Sequence, residues 1–252
     1  MRTAAIAAVL MVAVAVAADV VPDGIAPFSS ARPGAQPPGA WHATKIPKVP
    51  RETLYTLVND GGTVVLRAEA QSSMSGLTHP LHVDANATPI LRWRWKVNGV
   101  PQTSAFGTKA GDDYAARVYV LFDYDLSRLP FASRMKVKVA RMLYGAAVPA
   151  AGLCYVWDAK APVGTTGWSA YTDRLRMIVV ESGVARVGQW VDVRRNVAED
   201  FRAAFGEDPP AISGVAIATD TDNTGEAVTA WYGDIVLVPR TRGGGLSPKQ
   251  ER

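Results

Sequence analysis

Apolar and polar residues alternate with a period of two along much of the chain. The cleanest case is "ILRWRWKV", residues 90–97, where Leu91, Trp93, Trp95 and Val97 share one face and Arg92, Arg94 and Lys96 the other. This spacing predicts a half-buried strand with both indoles in the core beneath a cationic face. A sugar-stacking platform on Trp93 and Trp95 is the rival use, and it would leave the apolar face without cover.

Other segments carry the same period. "TLYTLVND" and "TVVLRAEA" flank Asp60, Gly61 and Gly62 and predict a β-hairpin. In "YAARVYVLFDYD" the residues Ala116, Val118, Val120 and Phe122 oppose Arg117, Tyr119, Leu121 and Asp123. "GLCYVWD", "LRMIVV", "WVDVRRNV", "ISGVAIATD" and "AWYGDIVLV" read as further strands. The pattern turns helical twice. Met135, Val139 and Met142 alternate with Arg134, Lys138 and Arg141 between Leu129 and Tyr144, and "AEDFRAAF" is closed by Gly206.

Eight or more short strands, with turns rich in Gly, Asn and Asp, predict a mostly β fold: an antiparallel β-sandwich, jelly-roll-like, with one or two short helices. Arg2, followed by an apolar run to Ala18, has the form of a secretory signal peptide cleaved near Ala18, too short and Ala-rich for a membrane span. Export to the periplasm or beyond is the expectation. Residues 19–50 form a Pro-rich extended lead, residues 51–240 a single sandwich domain, and residues 241–252 a disordered tail.

Composition adds limits to this picture. A chain of 252 residues that is 48% apolar can bury a large core, and a net charge of +4, part of it in the tail, gives no reason to expect nucleic acid as a partner. A single cysteine, Cys154, excludes an intrachain disulfide; without a nearby histidine it reads as an inert buried thiol.

Candidate chemistry centres on "DTDNTG", residues 220–225. Asp220, Asp222, Thr224 and Gly225 match the start of a calcium-loop pattern, yet the twelfth position is Trp231, so an EF-hand is rejected. A sandwich-type structural calcium on Asp220, Asp222 and the closing-strand Asp234 is the alternative to an Asx-rich turn that satisfies local N–H groups. His79 and His82 in "HPLH" lack the companions of a zinc site, and "VESGV" lacks the glycine of a nucleophile elbow. Asp112 and Asp113 are adjacent and point apart on an extended strand, so they form no ready acid–base pair. Arg194, Arg195, Asn196 and Asp200 in "RRNVAED" could pair with acidic loops or bind an acidic sugar.

The segments "LRWRWKVNG", "GDDYAARVYVLFD", "YVW", "RNVAEDFRAAFGEDPP" and "GVAIATDTDNTGEAVTAWYGDI" together resemble the DUF3047 family of bacterial exported proteins, over about Phe28 to Val238. The resemblance implies a mostly β exported domain and no established activity. More weakly, the closing hairpin is similar to carbohydrate-binding and galactose-binding-like jelly rolls. That likeness implies a glycan ligand and, at Asp234, a calcium carboxylate. The leading expectation is therefore a non-catalytic carbohydrate- or envelope-glycan-binding domain, with Arg117, Tyr119, Asp123, Arg195, Asp222, Asn223 and Trp231 as contacts. The alternatives are a polysaccharide hydrolase or lyase using clustered carboxylates, and a structural envelope protein with a protein partner.

Overall fold

The computed structural model describes residues 24–46, 49–144 and 150–240. The expected signal peptide and C-terminal tail lie outside the described residues. Among the described residues there are thirteen strands: β1 (His42–Lys45), β2 (Leu54–Asp60), β3 (Thr63–Gln71), β4 (Ser75–Val83), β5 (Ile90–Val97), β6 (Ala116–Phe122), β7 (Gly152–Asp158), β8 (Thr166–Ser169), β9 (Thr172–Ser182), β10 (Val191–Asn196), β11 (Ile212–Ala218), β12 (Ala227–Tyr232) and β13 (Val236–Val238). Two helices, α1 (Phe131–Tyr144) and α2 (Val197–Phe205), complete the regular structure with two single 3₁₀ turns.

One sheet runs β1-β4-β11-β6-β7-β9-β8 and the other β10-β5-β12-β3-β2, with β13 also on β5. The chain crosses between sheets at β3-β4-β5-β6 and again at β10-β11-β12. On the second pass β11 enters between β4 and β6, while β12 enters between β3 and β5. This interleaving is the jelly-roll winding expected from the strand pattern. One pair departs from the antiparallel expectation: β7 and β9 are parallel. The short β8 forms a hairpin with β9 at the sheet edge, and β9 fills the place beside β7 in β7's own direction.

The sequence dictates these elements locally. Gly61 and Gly62 both have positive φ, at 61° and 86°, which a two-residue hairpin with the right twist requires. Asn196 caps α2 by accepting from Glu199 N, and Gly206 ends it in the left-handed conformation at φ 73°. Trp93 and Trp95 are buried, as the alternation predicts, and Trp93 packs on Tyr155 of the facing sheet with ring centroids 5.4 Å apart. All seven residues of β7 are buried, because a second apolar cluster covers the sheet's other face: Tyr114, Cys154, Val156, Met177 and Val179. Cys154 lies there, its thiol pushed up by burial.

The Pro-rich lead contributes to the sandwich: β1 pairs with β4, and Phe28 and Trp41, stacked 5.0 Å apart, sit in the core. Two large aromatic rings supply enough apolar burial to hold a segment with few ladder hydrogen bonds. In α1, among the side chains described, Val137 is turned into the core and Met135 is exposed, while those of Val139 and Met142 lie outside the description. No helix among the described residues is long and apolar enough to cross a membrane.

Candidate functional site

The opposed arginine and aspartates meet at one end of the sandwich, where β6 begins and β11 ends. Arg117 and Asp220 are buried; Arg117 Nε donates to Asp220 Oδ1 at 2.8 Å, and its Nη2 reaches both Asp220 Oδ2 and the Asp112 carbonyl. Tyr114 N also donates to Asp220, at 3.3 Å. The "DTDNTG" loop is not a self-contained Asx turn. Its N–H groups at Asn223 and Thr224 donate to the buried carboxylate of Asp113, at 3.3 and 2.6 Å.

Asp113, Asp220 and Asp222 bring one carboxylate oxygen each within 4.8 Å of one another, so this buried cluster could hold a cation. Four carboxylates, counting Asp112, face the single guanidinium of Arg117. Burial, with Asp113 and Asp112 close by, pushes Asp220 up to about 7 against the pull of Arg117. Burial likewise raises Asp222 and Asp112.

The other expected contacts do not converge here. Asp234 stands apart from the carboxylate cluster, in the bulge between β12 and β13, and both its oxygens accept from Ser29 N and Oγ at 3.0 and 2.5 Å. The expected grouping of Asp234 with Asp220 and Asp222 is therefore corrected: Asp113 lies with them instead, because the loop folds back on the start of β6 rather than on β13. Tyr119 packs beside Cys154 in the second apolar cluster. Asp123 is exposed at the far end of β6, six residues or about 20 Å from Arg117. Arg195 pairs with Asp200, which also accepts from Tyr155 Oη at 2.8 Å, and so ties β10 to α2 and β7. Trp231 lies on the solvent face of the second sheet.

That face carries a second feature. By strand alternation Arg92, Arg94 and Lys96 of β5 point outward beside Trp231, which Lys96 Nζ approaches to 4.7 Å from the ring centroid. Trp190, just before β10, lies over Arg94 and Lys96, at 4.5 and 5.1 Å, and its Nε1 donates to Asp60 Oδ2 at 2.8 Å. The indole is thus pinned across the strands while staying partly exposed. Gly233 makes this packing fit: a Cβ there would stand 2.6 Å from Arg94 Cγ. Arg94 also lines a groove of about 540 Å³, together with Thr63, Arg92, Asp192, Arg194 and Asp234, among others.

The family model described as "Protein of unknown function (DUF3047)" matches residues 39–236. The chain belongs to the DUF3047 family. No curated protein matches it. Among solved structures, an arabinose-bound α-L-arabinofuranosidase is similar at 12% identity and TM-score 0.39, covering 85% of this chain and 25% of that one. A cellulose-induced protein is similar at 12% identity and TM-score 0.31, covering 79% of this chain and 90% of that one. The DUF3047 chain thus spans a quarter of the arabinofuranosidase's length.

The two places on this DUF3047 domain differ in chemistry. At the loop end, Asp222 Oδ1 and Thr221 Oγ1 are buried without hydrogen-bond partners, beside oxygens that suit a hard cation. On the sheet face, a pinned aromatic ring borders charged groups at the surface, which together offer both an apolar face and hydrogen-bond donors. Arg92, Arg94 and Lys96 were visible in the sequence as one cationic face. Trp190 was not distinguished, because its position over β5 depends on which strand pairs with β5.

Proposed function

We propose that this chain is a non-catalytic, exported β-sandwich that binds a glycan on the solvent face of the sheet β10-β5-β12-β3-β2, with a structural cation of the calcium type at the loop end. The observation that carries the reading is Trp190. Its indole is fixed by Asp60, Arg94 and Lys96, lies partly exposed, and packs on Arg94, which itself lines an open groove. A fixed ring covers sugar C–H surface with little loss of side-chain entropy, and adjacent charged groups orient the hydroxyls. Trp231 extends the same surface, and Asp113, Asp220 and Asp222 would hold the cation that braces the loop.

The test is retention of folded protein by insoluble cellulose and peptidoglycan sacculi, and affinity electrophoresis in gels containing soluble arabinan, xylan and polygalacturonate. Binding to at least one polymer, weakened about tenfold or more by Trp190→Ala with an unchanged melting curve, is expected. Absence of retention on every polymer removes the reading.

A polysaccharide hydrolase or lyase would need two free carboxylates across the bound chain. Asp192 and Asp234 line the groove, but Asp234 has both oxygens taken by Ser29. Release of reducing ends, lost in Asp192→Asn, would replace the non-catalytic reading with that one. Saturable capture of an envelope protein in place of every glycan would favour the structural role.

A further inference from the structure

Resting on the glycan-binding reading, we infer that the groove on this sheet face takes an acidic glycan, whose uronate carboxylates seat among Arg92, Arg94 and Arg194. Register places Arg194 of β10 directly opposite Arg92 of β5. Like charges facing each other across a strand pair destabilise a sheet, so folding gains nothing from this arrangement. Neighbouring cations are neutralised: Lys96 pairs with Asp60 at 2.6 Å, Arg67 with Glu69 at 3.0 Å, and Arg195 with Asp200. Among the described residues Arg92, Arg94 and Arg194 have no ion pair, and all three line the same groove.

Two carboxylates share that groove and do not neutralise it. Asp234 is turned to Ser29. Asp192 stands opposite Arg94 in register, yet Arg94 lies across Gly233 and against Trp190 instead of pairing with it. Three guanidinium forks therefore keep free N–H donors at the mouth of the groove. A carboxylate accepts two parallel N–H bonds from such a fork, and the sugar ring that bears it presents C–H surface to Trp190. Guanidinium groups in the groove, with the Trp190 ring beside them on Arg94, select for a sugar that carries an acid.

The experiment compares polygalacturonate with its fully methyl-esterified form, which keeps the backbone and removes the charge. Wild-type protein is measured beside Arg92→Gln/Arg194→Gln, Trp190→Ala and Arg186→Gln, the last removing an exposed charge elsewhere. Expected is at least tenfold tighter binding of the acidic polymer, weakening as salt rises. That preference disappears in the double variant and persists in Arg186→Gln, while the double variant melts no lower than wild type. Equal binding of both polymers, sensitive only to Trp190→Ala, overturns the acidic assignment and leaves glycan binding standing. An equal loss in Arg186→Gln, or equal binding of a DNA duplex, shows diffuse charge attraction and overturns it as well. If neither these polymers nor the neutral panel binds, the glycan reading fails and this assignment falls with it.

Discussion

Arg117 and Asp220 meet in a buried pair at the start of β6 and the end of β11, with the guanidinium also held by the Asp112 carbonyl. The pair joins two neighbouring strands just where both leave the sheet. Arg117→Met would remove the guanidinium that faces these carboxylates and leave Asp220 with the Tyr114 N–H but without its charged donors. Breaking a buried pair from one side costs about 3–5 kcal/mol. Urea unfolding should show a loss of that order, partly recovered in Arg117→Met/Asp220→Asn; an unchanged midpoint would contradict the structural role.

If the cluster holds a cation as proposed, stability should depend on pH and cations together. The folded Asp220 carboxyl is raised to about 7 from an ordinary 3.8, so the folded state holds its proton more tightly than the unfolded chain. Its contribution is complete below about pH 4 and is lost as pH rises through about 7. A bound divalent cation replaces the proton. Calcium should therefore raise the melting temperature more at pH 8 than at pH 5, and Asp222→Asn should blunt the effect. Melting curves insensitive to calcium and to chelator at both pH values would remove the cation from the account.

His79 acts in the opposite sense. It is fully buried, its Nε2 accepts from Ala26 N at 3.1 Å, and its Nδ1–H donates to the Pro80 carbonyl at 2.8 Å, so the ring must be neutral. Burial lowers its folded pKa below the ordinary 6.5. The stability it gives is full above pH 6.5 and falls as pH drops below that value. Because Ala26 belongs to the lead segment, limited proteolysis at pH 5 should cleave near residues 24–41 sooner than at pH 8. Equal protection at both pH values would show that the histidine is no latch.

Gly233→Ala tests how the sheet face is assembled. The new methyl collides with Arg94, a flexible side chain that can move aside, so the domain should still fold with near-normal melting. Displaced from Trp190, Arg94 would no longer order the groove, and affinity for polygalacturonate should fall severalfold. A variant that binds as wild type would mean that the position of Arg94 is immaterial.

Much of the architecture was legible before any coordinates. Strict alternation in residues 90–97 marked Trp93 and Trp95 as core, and the Gly61–Gly62 turn fixed the hairpin register. Strand β4, with Pro80 and two histidines inside it, hid its period. The lead segment reads as an extended approach to the domain because its prolines conceal the periodicity, while Phe28 and Trp41 dock it on the core. At the candidate sites, Asp220, Asp222 and Asn223 stood out through the composition of a loop and Arg117 through strand alternation. That Asp113 holds this loop by its Asn223 and Thr224 N–H groups depends on which loop folds over which strand. The sheet-face groove depends on the β10–β5 register, since a shift by one residue would turn Arg194 to the other face.

The glycan-binding reading rests on Trp190, and the most direct measurement is affinity electrophoresis of wild-type protein and Trp190→Ala, side by side, across polygalacturonate, methyl-esterified polygalacturonate, arabinan and xylan. The expected result is retardation of the wild type in at least one gel, strongest with polygalacturonate, and a loss of tenfold or more in Trp190→Ala, equal to about 1.4 kcal/mol. Identical mobility of the two folded proteins in every gel would contradict it.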